Sequence, residues 1–571
     1  MIINIYNKIK GFGVFSLLFP LSSLLLTTSC SDMLQTSSEL VEFEKDNTLN
    51  HTTDSVYSVM GIVNKLQLIA DRTVILGETR ADLVTATGAA SADLKRLSAF
   101  DFSQDNKYNE VSDYYAIINN CNYYLAHIDT AMQRRGRNLF INEFAVVKAY
   151  RAWTYLQLAI NYGNVPLVTT PLMTEVEARD AMNGPRVGIA DICDYFIADL
   201  TPFVGVELPV YTTHNGMNPQ QFFLPMRVVL GDLCLWSGRY EEAARWYHDY
   251  LTDEKKPVTL RTSRSTWPSA TELVNPTRSY SVDNNNEVLC YIPMEERVFD
   301  GVVSDLPNIY NSTNQNYRYF QLQPSMAMRN LSAAQTYCFE VKYDTKTDTL
   351  FARKTGLMND LYAGDLRLCS NYTLTYQGKD EYSEYNSERQ TIKKLWDNLV
   401  PVYRRSMVYL RYAEALNRAG LPQSAMVILK YGVCKDYFEE YVDSTEFAKA
   451  GSLIDFDQNI FPYRDAMGIH SFGSGDSQAN PYYVLPMPAD SLATYADTVA
   501  YQIPLVEDMI IDEMALEGAF EGNRFYDLLR VALRRDDPAY LADPISRRQG
   551  EGDERLRSLL MNPQNWYLPL P

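Results

Sequence analysis

Three glutamates late in the chain are the side chains of this sequence best placed for acid–base chemistry. Glu513, Glu517 and Glu521 are four residues apart and Arg524 follows three residues later, so on a helix all four lie on one face. Paired carboxylates act as general acid and base in some hydrolases. Arg524, however, is placed to neutralise one of them, and the pattern therefore predicts a structural charge cluster.

Other catalytic and metal-binding patterns are missing from the sequence. The five histidines share no metal-ligand spacing and form no HExxH motif; they are His51, His127, His214, His248 and His470. The FGSGD segment lacks the spacing of a GxSxG nucleophile elbow, and no GxxxxGKS or GxxxxGKT phosphate loop is present. We therefore expect no enzyme activity, no metal site and no cofactor.

The cysteines do not form a recognisable metal or redox motif. Seven of them follow Cys30 at long spacings, and no CxxC pair occurs. Several lie inside apolar runs such as Leu233-Cys234-Leu235, which favours buried free thiols. One or two disulfide bridges stay open as an alternative.

The net charge limits the classes of partner. The chain of 571 residues carries 71 acidic and 52 basic residues, for a formal net charge of -19. Such a charge repels the phosphates of nucleic acids and opposes docking of a broad face on anionic lipid. The hydrophobic fraction of 46% is that of a folded globular protein. We expect no nucleic-acid partner.

The segment before Cys30 has the pattern of an export signal. Two lysines precede an apolar run from Val14 to Leu26, which is too short to span a membrane. Small residues then lead into Cys30, as at the cleavage site of a bacterial lipoprotein. The pattern predicts a lipoprotein signal peptide over residues 1–29 and a polar tether over 30–50. Cleavage as an ordinary secreted protein, with Cys30 unmodified, is the alternative.

The most strongly helical stretch runs from Glu143 to Tyr162. Ala145, Ala149 and Ala152 recur on one face, where small side chains let a partner backbone approach closely. Gly163 can end the helix in a left-handed conformation. Long helices with an alanine face are typical of stacked antiparallel helix pairs.

A repeat links two distant parts of the chain. At a constant offset of 182 residues, Leu230, Gly231, Asp232, Gly238 and Ala243 recur as Tyr412, Ala413, Glu414, Gly420 and Ala425. A small residue at a helix crossing and a glycine at the helix end are typical of a tetratricopeptide-like hairpin. The intervening segment, about 255–400, predicts loops and short strands, with a strand in Asn285–Met294 and a hairpin in Tyr337–Gly356. Residues 440–505 also predict irregular structure.

Several segments resemble one known protein family. They are LGETRADLVT (Leu76–Thr85), KAYRAWTYLQLAINYGNVPLV (Lys148–Val168), GDLRL (Gly364–Leu368), EGNRFYDLLR (Glu521–Arg530) and MNPQNWYLPLP (Met561–Pro571), together with CSDMLQ from Cys30. They resemble the SusD/RagB family of outer-membrane nutrient-binding lipoproteins, in the expected order and along essentially the whole chain. Two positions depart from the family pattern: Asn523 stands where His is common, and Leu366 where Pro is usual.

The resemblance implies a mainly α fold. Tetratricopeptide-like helical hairpins would form a superhelical scaffold over about 51–254 and 401–571, with an irregular ligand-binding lobe of loops and short strands over about 255–400. It also implies a non-catalytic protein that captures a nutrient, anchored by lipid on Cys30 to the outer membrane and exposed at the cell surface. The implied partner is a SusC-like TonB-dependent transporter that imports the ligand.

Glycan-binding members of this family use aromatic side chains in the irregular lobe, on which the apolar face of a sugar stacks. The corresponding candidates here are Trp267, Tyr280, Tyr310, Tyr317, Tyr319 and Phe320, with His470 and Phe472 in a glycine-rich loop. Arg80 and Asp82, which alternate with Glu78 in a predicted loop, are further candidate ligand contacts. For each of these residues, packing within the protein is the alternative.

The class of ligand stays open at this point. A glycan is the first expectation. A peptide, as on the RagB side of the family, would need backbone partners along an enclosed groove. A surface structural or adhesion scaffold is an alternative of another class.

Tyr317 and Tyr319 alternate along the chain, so on an extended segment both rings face one side. We expect Tyr317→Ala and Tyr319→Ala each to weaken glycan binding, because each removes a surface on which a sugar can stack. Titration calorimetry with a panel of polysaccharides and oligosaccharides measures the change. Unchanged affinity in both variants would exclude this surface.

Overall fold

In the computed structural model, residues 49–570 are described except for a set of gaps. The gaps are 50, 104, 214–216, 261–286, 295–301, 311–320, 336, 344–345, 353–364, 366, 368–371, 376–388, 393, 396–398, 464–466, 475–482 and 491–492. All described residues belong to one unit, which begins at Leu49.

Helices make up most of the described chain. In order they are α1 (Thr52–Thr79), α2 (Ala92–Ser98), α3 (Val111–His127), α4 (Ile141–Tyr162), α5 (Glu175–Met182), α6 (Ile189–Leu200), α7 (Met226–Trp236), α8 (Tyr240–Leu251), α9 (Leu306–Tyr310), α10 (Met326–Ala334), α11 (Arg405–Arg418), α12 (Pro422–Met426), α13 (Lys435–Tyr441), α14 (Ser444–Ala450), α15 (Ser471–Ser474), α16 (Tyr495–Glu517), α17 (Arg524–Arg535), α18 (Ala539–Ser546) and α19 (Glu554–Leu560). The predicted mainly α fold is confirmed.

The strands are short and form two-stranded antiparallel pairs. In order they are β1 (Val84–Ala86), β2 (Gln133–Arg134), β3 (Arg137–Asn138), β4 (Val165–Pro166), β5 (Arg186–Val187), β6 (Val288–Pro293), β7 (Leu322–Pro324), β8 (Tyr337–Tyr343), β9 (Lys346–Ala352), β10 (Tyr372–Thr375), β11 (Arg389–Ile392) and β12 (Leu399–Arg404). The pairs are β1–β7, β2–β3, β4–β5, β6–β12, β8–β9 and β10–β11. The predicted strand and hairpin of the insertion are β6 and β8–β9, and both are confirmed.

The helices stack in succession. α3 packs on α4, α4 on α6, α6 on α7 and α7 on α8. α8 then packs on α11, although the whole insertion separates the two helices in sequence. The pair β6–β12 closes the insertion at its base, because β12 leads directly into α11. The scaffold is therefore continuous through space where the sequence is interrupted.

The predicted long helix is α4. It is nearly completely buried, and Ala145, Ala149 and Ala152 all lie in the interior. The helix ends at Gly163, whose φ angle of 72° is one that glycine adopts readily. Because the small side chains leave room for neighbouring backbones, α4 contacts α1, α3, α6 and α7 at once.

Both copies of the sequence repeat are helical hairpins. α7 and α8 form the first, and α11 and α12 form the second. Gly238 and Gly420 end the first helix of each copy with φ angles of 79° and 84°. At the first crossing, a Cβ atom added to Gly231 would lie 2.4 Å from the Tyr247 ring. The second copy differs in that α12 continues as a π-helical segment, Val427–Tyr431.

Three expectations about local structure are wrong. The segment 440–505 is not irregular throughout, since it contains α14 and the start of α16 at Tyr495. Glu78 is not in a loop, because α1 continues to Thr79. The glutamate helix does not reach Arg524, because α16 ends at Glu517 and a turn separates it from α17.

Tyrosines supply much of the interior. Nine of the eleven largest fully buried side chains are tyrosines. Some of their hydroxyls reach backbone carbonyls of other segments: Tyr150 donates to the Phe222 carbonyl at 2.9 Å, and Tyr409 donates to the Val258 carbonyl at 2.6 Å. Each such residue buries apolar surface and still pairs its polar tip.

Free thiols are also buried. Among the described residues, the free and buried cysteines are Cys121, Cys193, Cys234, Cys290 and Cys434. This confirms the expectation of buried free thiols for these five residues. None of the helices in the described ranges is long and apolar enough to cross a membrane.

The close helix crossing at Gly231 predicts a strong effect of a single methyl group. Tyr247 is fully buried and donates a hydrogen bond to Asp232 at 2.6 Å, so its ring cannot move aside freely. We expect Gly231→Ala to lower the free energy of unfolding by about 1–3 kcal/mol. Gly61→Ala in α1 is the matched control, because nothing lies within 4 Å of its added Cβ atom. Denaturant unfolding followed by circular dichroism should show a loss in the first variant alone.

Candidate functional site

The segments LGETRAD and EGNRFYD, far apart in sequence, meet in the interior. A Cβ atom on Gly77 would lie 1.8 Å from the Gly522 carbonyl oxygen, so the end of α1 rests directly on the turn before α17. The Gly522 N–H donates to Glu78 Oε1 at 2.8 Å. Arg524 donates two hydrogen bonds to the Asp82 carboxylate, at 2.7 and 2.9 Å. These contacts join the first helix to the last third of the scaffold.

Arg80 extends this joint to α4 and to the C-terminal tail. Its guanidinium donates to the Leu76 carbonyl at 2.9 Å, the Trp566 carbonyl at 3.1 Å and Asn161 Oδ1 at 2.5 Å. The guanidinium also lies 4.0 Å from the centre of the Phe525 ring. Burial lowers the pKa of Arg80. One side chain thus connects four segments that resemble family motifs or adjoin them.

The expectation that Arg80 and Asp82 contact a ligand is therefore corrected. Arg80 is 0% exposed and Asp82 is 4% exposed, and both are engaged by the hydrogen bonds just described. These residues take part in a structural network, and packing within the protein is the alternative interpretation given for them above. These motif residues hold the scaffold together.

The glutamates of α16 lie in a second buried network. Glu513 accepts a hydrogen bond from Arg367 at 2.6 Å, and its other oxygen lies 2.7 Å from His470 Nδ1. Glu517 accepts from Arg367 at 2.9 Å and from Arg404 at 3.0 Å. Burial opposes ionisation of both glutamates, but the neighbouring cations outweigh it and lower each pKa to about 2. Carboxylates held ionised in this way are poor general acids.

Glu521 completes this network. It accepts hydrogen bonds from Lys394 at 2.6 Å and from Arg404 at 2.7 Å. Burial lowers the pKa of Lys394, against the attraction of Glu521. Arg524 takes no part, because the turn before α17 directs it to Asp82 instead. The predicted structural charge cluster is confirmed, but the predicted role of Arg524 in it is wrong.

The remaining sequence candidates fall into two groups. Those outside the described residues are Trp267, Tyr280, Tyr317, Tyr319 and Phe320, and also the lipidation candidate Cys30; they stay predictions. Among the described candidates, Tyr310 and His470 are fully buried and pack within the protein. Phe472 is half-buried in α15 and packs against the core. In the described ranges no group of three or more His, Cys, Asp or Glu side chains could hold a metal ion.

The described scaffold contains an open groove. Its volume is about 1850 Å³ when the space open to solvent is included. The ends of α4 and α7, the start of α8, strand β5, α17 and the C-terminal tail line it. Trp236, Tyr240 and Tyr567 form an aromatic wall, and each of the three is half-buried. Flat rings that are only partly covered can stack on the apolar face of a ring-shaped ligand.

A narrower recess, of about 890 Å³ when the space open to solvent is included, adjoins the groove. Leu235, Trp236 and Arg530 line both spaces, so they mark the point where the two meet. Charged side chains line the recess, among them Asp232, which accepts a hydrogen bond from Arg411 at 2.8 Å. The groove therefore combines an aromatic wall with a polar inner recess.

Comparison with models of protein families finds no match, and comparison with curated proteins finds none. Solved structures do match. A SusD-like carbohydrate-binding protein from Bacteroides fragilis has a TM-score of 0.55 and 16% identity, over 86% of this chain and 88% of that one. A SusD superfamily protein from Bacteroides thetaiotaomicron has a TM-score of 0.54 and 16% identity, over 84% and 89%. A SusD-like carbohydrate-binding protein from Bacteroides vulgatus has a TM-score of 0.53 and 14% identity, over 84% of this chain and 83% of that one.

The chain has the SusD-like fold. The agreement is one of architecture, because about one residue in six is identical in the best of these three matches. It extends over 84–86% of this chain in the three matches.

Within this SusD-like fold, the aromatic wall lies outside the irregular lobe in which the sequence predicts aromatic ligand contacts. Trp236 and Tyr240 lie at the turn of the first repeat hairpin. A weak signal was present, since both residues flank Gly238, which ends the first helix of the repeat. Tyr567 carries no such signal, because only the folded chain brings the tail beside this hairpin.

In this SusD-like fold, the buried contact between Glu78 and the Gly522 N–H predicts that stability depends on pH. Burial raises the pKa of Glu78 to about 8, although the hydrogen bond from Gly522 opposes the shift. The unfolded chain ionises Glu78 near pH 4.5, so between these values the folded state holds the extra proton, and stability falls as pH rises. Glu78→Gln cannot ionise and should lose less stability than the wild type between pH 5 and 8.

The measurement is the free energy of unfolding at several pH values. Glu175→Gln is the control, because Glu175 is exposed at the start of α5 and should leave the pH profile of the wild type unchanged. A profile for Glu78→Gln that parallels the wild type would contradict the assignment.

Proposed function

We propose that this protein is a non-catalytic nutrient-binding protein whose ligand is a glycan. The observation that carries the proposal is the SusD-like fold over 86% of the chain. Two of the matched structures are described as carbohydrate-binding proteins. The groove supports the same function, because its aromatic wall and adjoining recess suit a ligand with apolar faces and polar edges.

Trp236 is the central residue of the proposed site. Its ring lines both the groove and the inner recess, and the guanidinium of Arg530 lies 5.5 Å from the ring centre. A sugar ring offers C–H groups on one face and hydroxyl groups around its edge. Stacked on Trp236, it would place those hydroxyls near Asn164 and Gln564, whose side chains are exposed in the same groove.

The absence of catalysis is part of the proposal. The glutamates best spaced for acid–base work are buried and held ionised by Arg367 and Arg404. Hydrolysis of a glycan needs one carboxyl group that can give up a proton at working pH. The network therefore supports capture of the ligand without its cleavage.

Anchoring and delivery complete the proposal. Cys30 would carry the lipid that holds the protein at the outer membrane, exposed at the cell surface, with several acyl chains making the attachment effectively permanent. The ligand would pass to a SusC-like TonB-dependent transporter. Lipidation is tested by mass spectrometry of the mature protein, and the partnership by co-purification with a large outer-membrane barrel.

Ligand binding is tested by calorimetry on the full chain in detergent, titrated with polysaccharides, oligosaccharides and mixed peptides. We expect heat with at least one glycan class and an affinity loss of about fivefold or more in Trp236→Ala, because a stacking surface is lost. Tyr57→Ala is the control, since Tyr57 is 76% exposed on α1 and does not line the groove. If only peptides produced binding heat, the ligand would be a peptide and not a glycan. If no ligand produced binding heat, the proposal would be contradicted.

A further inference from the structure

The groove differs in charge from the rest of the chain. Its charged lining residues are Arg186, Arg530 and Arg534, and no Asp or Glu is among the described residues that line it. The chain as a whole carries 71 acidic and only 52 basic residues. An arginine-lined groove in such an acidic protein needs a physical explanation.

Two of these arginines are paired with carboxylates that do not line the groove. Arg530 binds both oxygens of Glu414, at 2.9 and 2.6 Å, and Asp527 at 2.9 Å. Arg534 also donates to Glu414, at 3.0 Å, and contacts Glu507. The pairs hold the guanidinium groups in place. Within the described part of the chain, Nη1 of Arg530 makes no hydrogen bond and is left to face solvent or ligand.

Arg186 has no such partner. It is exposed on β5 and forms no ion pair with any described residue. Its backbone pairs with Pro166 of β4, directly after the turn at Gly163, so a short two-stranded ribbon holds it beside the end of α4. The charge of Arg186 is therefore uncompensated, and its planar fork of donors matches a carboxylate or a sulfate.

We propose that the groove is specific for an acidic glycan, whose carboxylate or sulfate group pairs with Arg186 while its sugar ring stacks on Trp236. The inference rests on the proposed function and narrows its ligand class. A neutral sugar would leave the charge of Arg186 unpaired, whereas a carboxylate or sulfate group on the sugar would pair with it. Arg530 and Arg534 line the same groove, but carboxylates compensate their charges, so Arg186 is the uncompensated cation among the described residues that line it.

The test is calorimetry on the full chain in detergent with three matched classes of oligosaccharide. They are a uronate-containing oligosaccharide, the same oligosaccharide with its carboxyl groups reduced, and a sulfated oligosaccharide. We expect the reduced form to bind at least about tenfold more weakly than the uronate or the sulfated form, and the preference to shrink at high salt. Comparison of the two acidic ligands shows which anionic group the site prefers.

Variants separate a specific contact from general attraction. Arg186→Ala should lose about tenfold in affinity for the acidic ligand and little for the reduced one. Arg137→Ala is the matched control, because Arg137 is also exposed on a two-residue strand and lies outside the groove. We expect that variant to bind as the wild type does.

Two results would overturn the inference in distinguishable ways. Equal affinity for the acidic and reduced ligands, or equal losses in the Arg186 and Arg137 variants, would refute acidic specificity and leave glycan capture standing. Failure of the wild type to bind any oligosaccharide would refute acidic specificity together with the proposed function.

Discussion

The bidentate ion pair between Asp82 and Arg524 is the contact on which the scaffold most depends. It joins residues 442 positions apart in the interior. Removing one partner from such a pair leaves an uncompensated buried charge, which typically costs about 3–5 kcal/mol. The contact of Gly77 with Gly522 brings the two backbones close enough for the pair to form. Residues that resemble family motifs thus preserve the fold, independently of the ligand.

Buried ion pairs also hold the insertion against α16. Arg367, Lys394 and Arg404 come from the segment between the two repeat copies, and each contacts a glutamate on or just after α16. Because these charges are buried, removal of one partner would leave the other charge unpaired and would lower the stability of the fold. The network thereby fixes the insertion to the end of α16 and the turn that follows it.

The groove lies where several helices end. A helix terminus leaves room for loops and side chains, and here the ends of α4 and α7 meet the tail after α19. Glu414 and Glu507 hold the arginines of α17 by ion pairs. The groups that we propose as ligand contacts are thus mounted on rigid elements, which lowers the entropic cost of binding.

Local patterns in the sequence predict the helical class, the long α4 with its end at Gly163, the two repeat hairpins and the strands β6, β8 and β9. These features depend on local periodicity and on glycine positions, which a single chain displays. The grouping of Glu513, Glu517 and Glu521 in a charge cluster is predicted from the same local spacing, whereas their burial is not. The folded chain alone shows which cations pair with them, that Arg80 and Asp82 are interior, and that Trp236, Tyr567 and Arg186 share a groove. Those outcomes depend on contacts between residues far apart in the sequence, and local spacing carries no information about such contacts.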